Sequence, residues 1–387
     1  MPQIAEAPPA GLVPEQWDAV VRDVVQPLAE EVDRTGSFPR LGVRALAEAG
    51  VLGLLSSPAH GGGGGDLRQA AAVVGRLAGI CGSTAMVVLM HYAAVTVIEA
   101  HGDDEVRRAI ATGRHLSTLA FSEHGSRSHF WTPVGTAVPD GAESVRLDAR
   151  KSWVTSAGEA DSYVWSSRPL EAAAGEMSLW LLPAGSPGLD VCGHYDGFGL
   201  RGNASNPVTA DGVRVPRTAA LGSDGEGLAI ALGLALPCFL TLSAAFSLGV
   251  ADTLLELTAR HLRETRLEHL GESLAHQPVA RREYAALRMR ADAARALLDD
   301  AVAAMEAERS DATLRVLQVK ALAAETAADT ADGAMRLCGG SAFRRELGVE
   351  RRFRDALAAR VMAPTTEALY DFCGRAGLGL PLFEEAK

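Results

Sequence analysis

The stretch Leu228 to Val250, LAIALGLALPCFLTLSAAFSLGV, carries no charged side chain and is long enough to cross a bilayer, so it belongs either in lipid or in the centre of a core. Gly233 and Pro237 interrupt it, Ser and Thr fall on several of its sides, and it runs directly into an amphipathic pattern. These features predict a buried helix of a bundle and no membrane span. The amino terminus, MPQIAEAPPAGLVPEQW, lacks a basic start followed by an apolar run, so no secretory leader is expected and a cytoplasmic location is.

Such a helix needs cover, and a chain of 387 residues with 48% hydrophobic content can supply it in two or three structural units. From Gln16 to about Gly113 the signals are helical, with Trp17, Val20, Val24, Leu28 and Val32 forming one stripe. The link SSPAHGGGGGD reads as a flexible loop, because its glycines lack the strand, helix and lysine of a phosphate-binding loop. From about Thr118 to Leu221, short runs such as SVRLDARKSWVTS, DSYVWSS, MSLWLLP and DGVRVP predict strands of an antiparallel sheet or small barrel. Helical stripes then return, through Tyr284, Leu287, Ala291, Ala294 and Leu298 and through Leu314, Leu317, Ala321, Ala324 and Ala328. The expected class is α+β and mainly α: a helical domain over 1–115, an antiparallel β domain over 116–222 and a helical bundle over 223–387.

Charge narrows the function. A formal net charge of −11 with few aromatics argues against nucleic acid as a partner. Five scattered cysteines with no C-x-x-C pair support neither a disulfide framework nor a metal site. Several short stretches remain as candidates for chemistry. SEHGSRSH, Ser122 to His129, mixes hydroxyls and histidines on a loop. In KSWVTS, Trp153 and Thr155 are two apart, which predicts one strand face. His91 lies in an apolar helix, where the ordinary expectation is a hydrogen-bonded core residue. Gly339 and Gly340 permit close backbone approach, and the Arg/Glu run after them leaves an anion site open. In RVMAPTTEALYDF a helix is expected to start, with Pro364 in its first turn, Thr365 or Thr366 as cap and Glu367 at its acidic end.

In order along nearly the whole chain, these pieces resemble the acyl-CoA dehydrogenase family. Ser122, Glu123 and Ser128 are similar to its Thr/Ser-Glu-Pro loop with a later Ser, and Lys151, Trp153, Val154 and Thr155 to its Lys-x-Trp-Ile-Thr strand. Gly199 and Arg201 match its Gly-x-Arg turn; Val215, Pro216, Leu221 and Gly222 match its Val-Pro and Leu-Gly. Gly339, Gly340, Glu350, Arg351, Arg354, Asp355 and Ala356 match its Gly-Gly, Glu-Arg and Arg-Asp-Ala signals. The resemblance implies FAD between sheet and bundle, with FMN or supplied reduced flavin as the alternative, in a homodimer or homotetramer. It implies Phe121, Ser122, Trp153 and Thr155 beside the flavin ring and Thr365 and Glu367 at the cofactor near the bundle. It also implies Arg266, Gln277, Arg336, Gly339 and Gly340 near the adenine and pyrophosphate of a partner.

The chain departs from that pattern where the chemistry should be. The family glutamate that takes the α-proton of an acyl thioester falls at Ala363, and the base that other members carry on the helix after the β domain falls near Phe239. His124, Arg127 and His129 replace a proline, a glycine and an acid in the loop, which, with Phe130 and Trp131, implies an altered acyl pocket around Arg127, Ser128 and Phe239. Three functions follow as expectations. One is α,β-dehydrogenation of a CoA-bound or carrier-bound acyl thioester with Glu367, His91 or His124 as base and an electron-transfer protein as acceptor. Another is a two-component flavin monooxygenase fed by a flavin reductase, using a C4a-hydroperoxide, with His91 and Ser122 or Ser128 near the peroxide. The last is a non-catalytic assembly subunit.

Overall fold

The structure, a computed structural model, describes residues 14–126 and 129–381 and divides into two compact units. The first holds residues to 73, 86–196 and 201–239; the second holds 74–85, 197–200 and 240 onward. The amino-terminal helices to 73, the helix from 86 and the strands up to 196 fall within the first unit.

In the first unit α1 (Pro14–Val20) and α2 (Gln26–Thr35) are joined through a π-helical turn, Val21–Val25. The buried stripe is Trp17, Val21, Val25, Ala29 and Val32, not the one through Val20, Val24 and Leu28. A π turn winds more residues per turn than an α-helix, so the spacing of four stays on one face. α3 (Arg40–Glu48) follows, and the glycine-rich link after it is a closed knot rather than a flexible loop. Gly63, Gly64 and Gly65 donate to the carbonyls of Gly53, Ser56 and Leu54 at 2.9, 2.9 and 2.8 Å. A Cβ on Gly62 would stand 2.3 Å from the Ser56 carbonyl oxygen, so this backbone approach requires glycine. α4 (Leu67–Ile80), α5 (Gly82–His101) and α6 (Asp104–Ala111) complete the helical part.

Seven strands come next: β1 (Ser117–Ala120), β2 (Thr136–Pro139), β3 (Ser144–Val154), β4 (Ser162–Ser167), β5 (Ser178–Pro183), β6 (Leu189–Val191) and β7 (Asn206–Pro216). They form two sheets, β1-β4-β5 and β2-β3-β7-β6. The β1–β4 pair is parallel, which the expectation of a wholly antiparallel arrangement missed; the others are antiparallel. β4 is buried at every position, with Trp165 facing Trp180 of β5 in register. It is therefore covered on both faces, serines included, rather than alternating between core and solvent.

The apolar run that opened the sequence becomes α7 (Gly227–Ile230), a π turn (Ala231–Ala235) and α8 (Leu236–Glu264), one continuous helical rod. Leu240, Leu242, Ala244, Phe246 and Val250 on α8 are buried in the second unit. There α8 meets α4 so closely that a Cβ on Gly249 would lie 2.0 Å from the Gly75 carbonyl oxygen. This rod and α5 are both long and apolar enough to cross a membrane, and most of each apolar window is buried inside the fold.

The second unit continues with a small hairpin, β8 (Arg266–Leu267) and β9 (Glu272–Ser273), then α9 (Pro278–Glu306) and α10 (Ala312–Cys338). The α9 stripe Leu287, Ala291, Ala294 and Leu298 is buried as its spacing predicts, with Tyr284 packed at its margin. α10 is buried on more than the expected stripe: Val316, Val319, Lys320, Ala323 and Ala327 are enclosed too, because α9, α11 (Val349–Ala356) and α13 (Thr366–Gly377) all pack on it. The single turn α12 (Ala358–Val361) lies between α11 and α13.

Candidate functional site

In the first unit the candidate residues gather at the end of β3. The β3–β7 register shifts between Lys151 and Val154, and inside that irregularity Trp153 takes a left-handed backbone, φ 58°, and is 72% exposed. Thr155 is buried and shares a 3.3 Å hydrogen bond with Ser205, so the two do not lie on one strand face as their spacing predicts. The bulge and the left-handed turn break the period of two. Ser156 and Ala204 are also left-handed, at φ 60° and 51°. Their segments are laced together: Ser156 N–H donates to Asn203 O at 2.9 Å and Ala157 N–H to Ala204 O at 3.1 Å. Non-glycine residues in this region cost of order 1–3 kcal/mol each and persist where surrounding structure imposes them, characteristically at ligand sites.

Ser122 joins the same cluster, its carbonyl accepting from Ser152 N–H at 3.0 Å. Phe121 is buried and stacks on Phe130 at 6.3 Å between centroids, while Phe130 meets Trp131 edge-on at 5.2 Å. Arg127 and Ser128 lie outside the described residues. The base of this loop is a feature that sequence reasoning passed over. Glu123 is buried, pairs with the Lys151 ammonium at 2.5 Å and accepts from the N–H groups of Val134 and Gly135 at 2.6 and 2.8 Å. Lys151 donates further to Ser166 O and Oγ and lies 5.0 Å from the centre of the Trp165 ring. Burial lowers the Lys151 pKa to about 8 against the opposing pull of Glu123.

The three proposed bases fare differently. His91 is fully buried; its Nε2 lies 3.1 Å from Leu52 O, and its Nδ1 accepts from Ser117 N–H at 3.1 Å. Burial lowers its pKa to about 4, so it is a neutral core residue tying α5 to β1 and presents no free nitrogen to a substrate or a peroxide. His124 is exposed on a turn fastened through its N–H to Arg150 O. Glu367 is exposed in the first turn of α13. Thr365 caps that helix by accepting from Ala368 N–H at 3.4 Å, and Pro364 stands just ahead of the cap rather than in the first turn. Ala363 is half-buried, and Phe239, on α8, is buried with no carboxylate in its place. Beneath Ala363 lies a second missed residue, Lys320, fully buried with its ammonium on the carbonyls of Ala359, Met362 and Pro364. Its signal in the sequence was a lysine set among the alanines of an apolar helix.

The remaining candidates flank the hairpin and the end of α10. Arg266 is exposed and donates to Gly271 O, and Gln277 is the residue before α9. Arg336 is paired with Glu283 at 2.7 Å and Asp332 at 3.0 Å. Gly339 ends α10 at φ 55°, ψ −140°, and neither it nor Gly340 has any atom within 4 Å of where a Cβ would stand. In the Arg/Glu run after them, the residues of α11 have partners within the fold. Arg351 and Arg352 bond the carbonyls of Ile80 and Gly79 at the end of α4, Arg354 pairs with Glu350, and Asp355 accepts from Leu200 N–H.

In the first unit the strained, exposed Trp153 and the unpartnered Oγ of buried Ser156 have the character of a ligand site that suits a flat ring. In the second unit, taken by itself, the Thr366 hydroxyl has no hydrogen-bond partner among the described residues, and Gly339 and Gly340 face open space. Comparison with known proteins agrees. The amino-terminal, middle and carboxy-terminal domain models of acyl-CoA dehydrogenase match residues 12–113, 118–213 and 225–378. Cyclohex-1-ene-1-carbonyl-CoA dehydrogenase of Syntrophus aciditrophicus is 27% identical over 92% of this chain and 86% of its own length. The human short-chain specific acyl-CoA dehydrogenase of mitochondria is 26% identical over 88% and 83%. In fold, butyryl-CoA dehydrogenase of Megasphaera elsdenii superposes with a TM-score of 0.87 over 95% of this chain and 99% of that one, at 21% identity. The chain belongs to the acyl-CoA dehydrogenase family and is an FAD-dependent oxidoreductase of that type.

Proposed function

We propose that this enzyme desaturates an acyl group at its α and β carbons while the acyl is held as a thioester of CoA or of a carrier protein, and passes the electrons to an electron-transfer protein. Bound FAD supplies the acceptor for the β-hydride. The chain's own residues orient the ring and the acyl group: Trp153 offers an aromatic face, with Ser122 and Thr155 beside it, and Phe121, Phe130 and Trp131 form an aromatic wall behind the loop. The observation that carries this reading is the strained and exposed Trp153 in a chain of this family.

The α-proton must go elsewhere than in most relatives, since position 363 is alanine and position 239 phenylalanine. His91 is withdrawn from that role by its burial and its two main-chain contacts. Glu367, four residues after Ala363 and in the first turn of α13, and His124 are the groups left as base. A second reading draws on the same two substitutions: oxygenation of a small substrate, with reduced flavin from a reductase and dioxygen, needs no α-proton base.

An anaerobic absorbance titration of the FAD-loaded protein with a panel of acyl-CoA thioesters separates the two. Bleaching of the oxidised flavin band is expected, and Glu367→Gln should slow it by about 100-fold if that carboxylate is the base. No bleaching with any thioester, together with turnover when reduced flavin and air are supplied, would replace dehydrogenation by oxygenation.

A further inference from the structure

Lys320 lies on α10 with its side chain enclosed, and its ammonium donates to Ala359 O, Pro364 O and Met362 O at 2.7, 2.8 and 3.1 Å. An ammonium has three N–H donors and no acceptor, so one short segment takes all of them. Apart from the burial of Ala359 and Pro364, the other tie of that segment to α10 is the ion pair of Arg360 with Glu325, which lies on the side chain and leaves the main-chain carbonyls to Lys320. α12 is a single turn closed by Met362 N–H on Ala358 O, Pro364 has no N–H, and α13 starts only after the Thr365 cap. The carbonyls held by Lys320 belong to the residues just before and just after position 363 and to the helix turn that leads into it. Burying a charge without a contacting carboxylate is unfavourable, and an apolar side chain would fill the same space at less cost. Burial lowers its pKa to about 7, and Glu367 and Glu325 favour the charged form only in part.

We propose that Lys320 is the positioning residue of the 359–364 segment: by gripping the main chain on both sides of Ala363, it sets where any side chain at 363 is presented to the substrate. This rests on the thioester reading above. In a chain with alanine at 363 the grip is retained although the group it would aim is absent, so a carboxylate introduced there should arrive already aimed.

The test begins with Ala363→Glu in the FAD-loaded protein. Anaerobic bleaching by a short-chain acyl-CoA is expected to appear or to rise. Adding Lys320→Arg or Lys320→Met should then lower the bleaching rate constant by about 100-fold, the size of effect that a misplacement of about 1 Å produces. The half-saturating thioester concentration should change by less than about threefold, since binding is left in place. Equal rate constants with and without Lys320 would overturn the proposal. If Ala363→Glu fails to bleach in the presence of Lys320, the thioester reading is the one that falls, and Lys320 is judged by amide hydrogen exchange in the chain with Ala363 intact. There Lys320→Met should speed exchange at residues 359–366 by about tenfold while α9 keeps its protection; unchanged exchange in that segment would also overturn the proposal.

Discussion

His91 shows how a residue type that suggests catalysis is absorbed by a core. Its neutral ring joins Leu52 and Ser117, two positions remote in sequence, and only the neutral tautomer protonated on Nε2 serves both contacts. A pKa of about 4 in the fold, below the ordinary 6.5, means that unfolded chains bind more protons between those values. The stability His91 contributes is therefore complete above pH 6.5 and is lost as pH falls toward 4. Urea unfolding at pH 7 and pH 5 should differ by about 2 kcal/mol on this account, and His91→Gln should remove that difference. A His91→Gln variant that instead loses turnover with unchanged stability would restore the histidine to the reaction. Trp153 is the opposite case, a large ring kept in solvent on a strained backbone, where packing gives no reason for it.

Among elements, the base of the loop between β1 and β2 carries a buried ion pair. Glu123 and Lys151 are 28 positions apart and form an isolated bridge outside the regular ladders. Removing one partner of such a pair leaves an uncompensated charge, so Lys151→Met should cost about 3–5 kcal/mol, and the double change with Glu123→Gln should recover part of it. Chemical denaturation of the two single variants and the double variant gives the coupling; single costs below about 1 kcal/mol would show that the pair is not what fastens the loop. The arginine run of α11 works in the same manner for α4, where Arg351 and Arg352 take the carbonyls that a helix end leaves unpaired. Two arginines of a charged run thus act as a clamp on the end of α4.

For the molecule as a whole, cofactor binding should appear as stability. FAD at about one hundred times its dissociation constant adds about 2.7 kcal/mol to a fold that binds it only when native. Gly340 offers a clean test, because open space surrounds the place where its Cβ would stand. Gly340→Val should leave the melting temperature of the flavin-free protein unchanged and abolish the rise on adding FAD. A rise equal to that of the unsubstituted protein would remove Gly340 from the cofactor site.

The order of helices, strands and helices, the buried rod through Leu228–Val250, the stripe on α9 and the family are legible along the chain, because each is written in local periodicity or in short motifs kept in order. It also showed that position 363 lacks a carboxylate. Only the tertiary structure decided which polar groups are structural. Trp153 and Thr155 part company at a bulge that their spacing of two does not contain, and the π turn near Val21 moves the middle three positions of a stripe by one residue. Lys320 finds its partners 39, 42 and 44 positions away. Periodicity reports on neighbours within a few residues, whereas a buried charge is satisfied by whatever backbone the fold brings to it, and that pairing has no trace in local pattern.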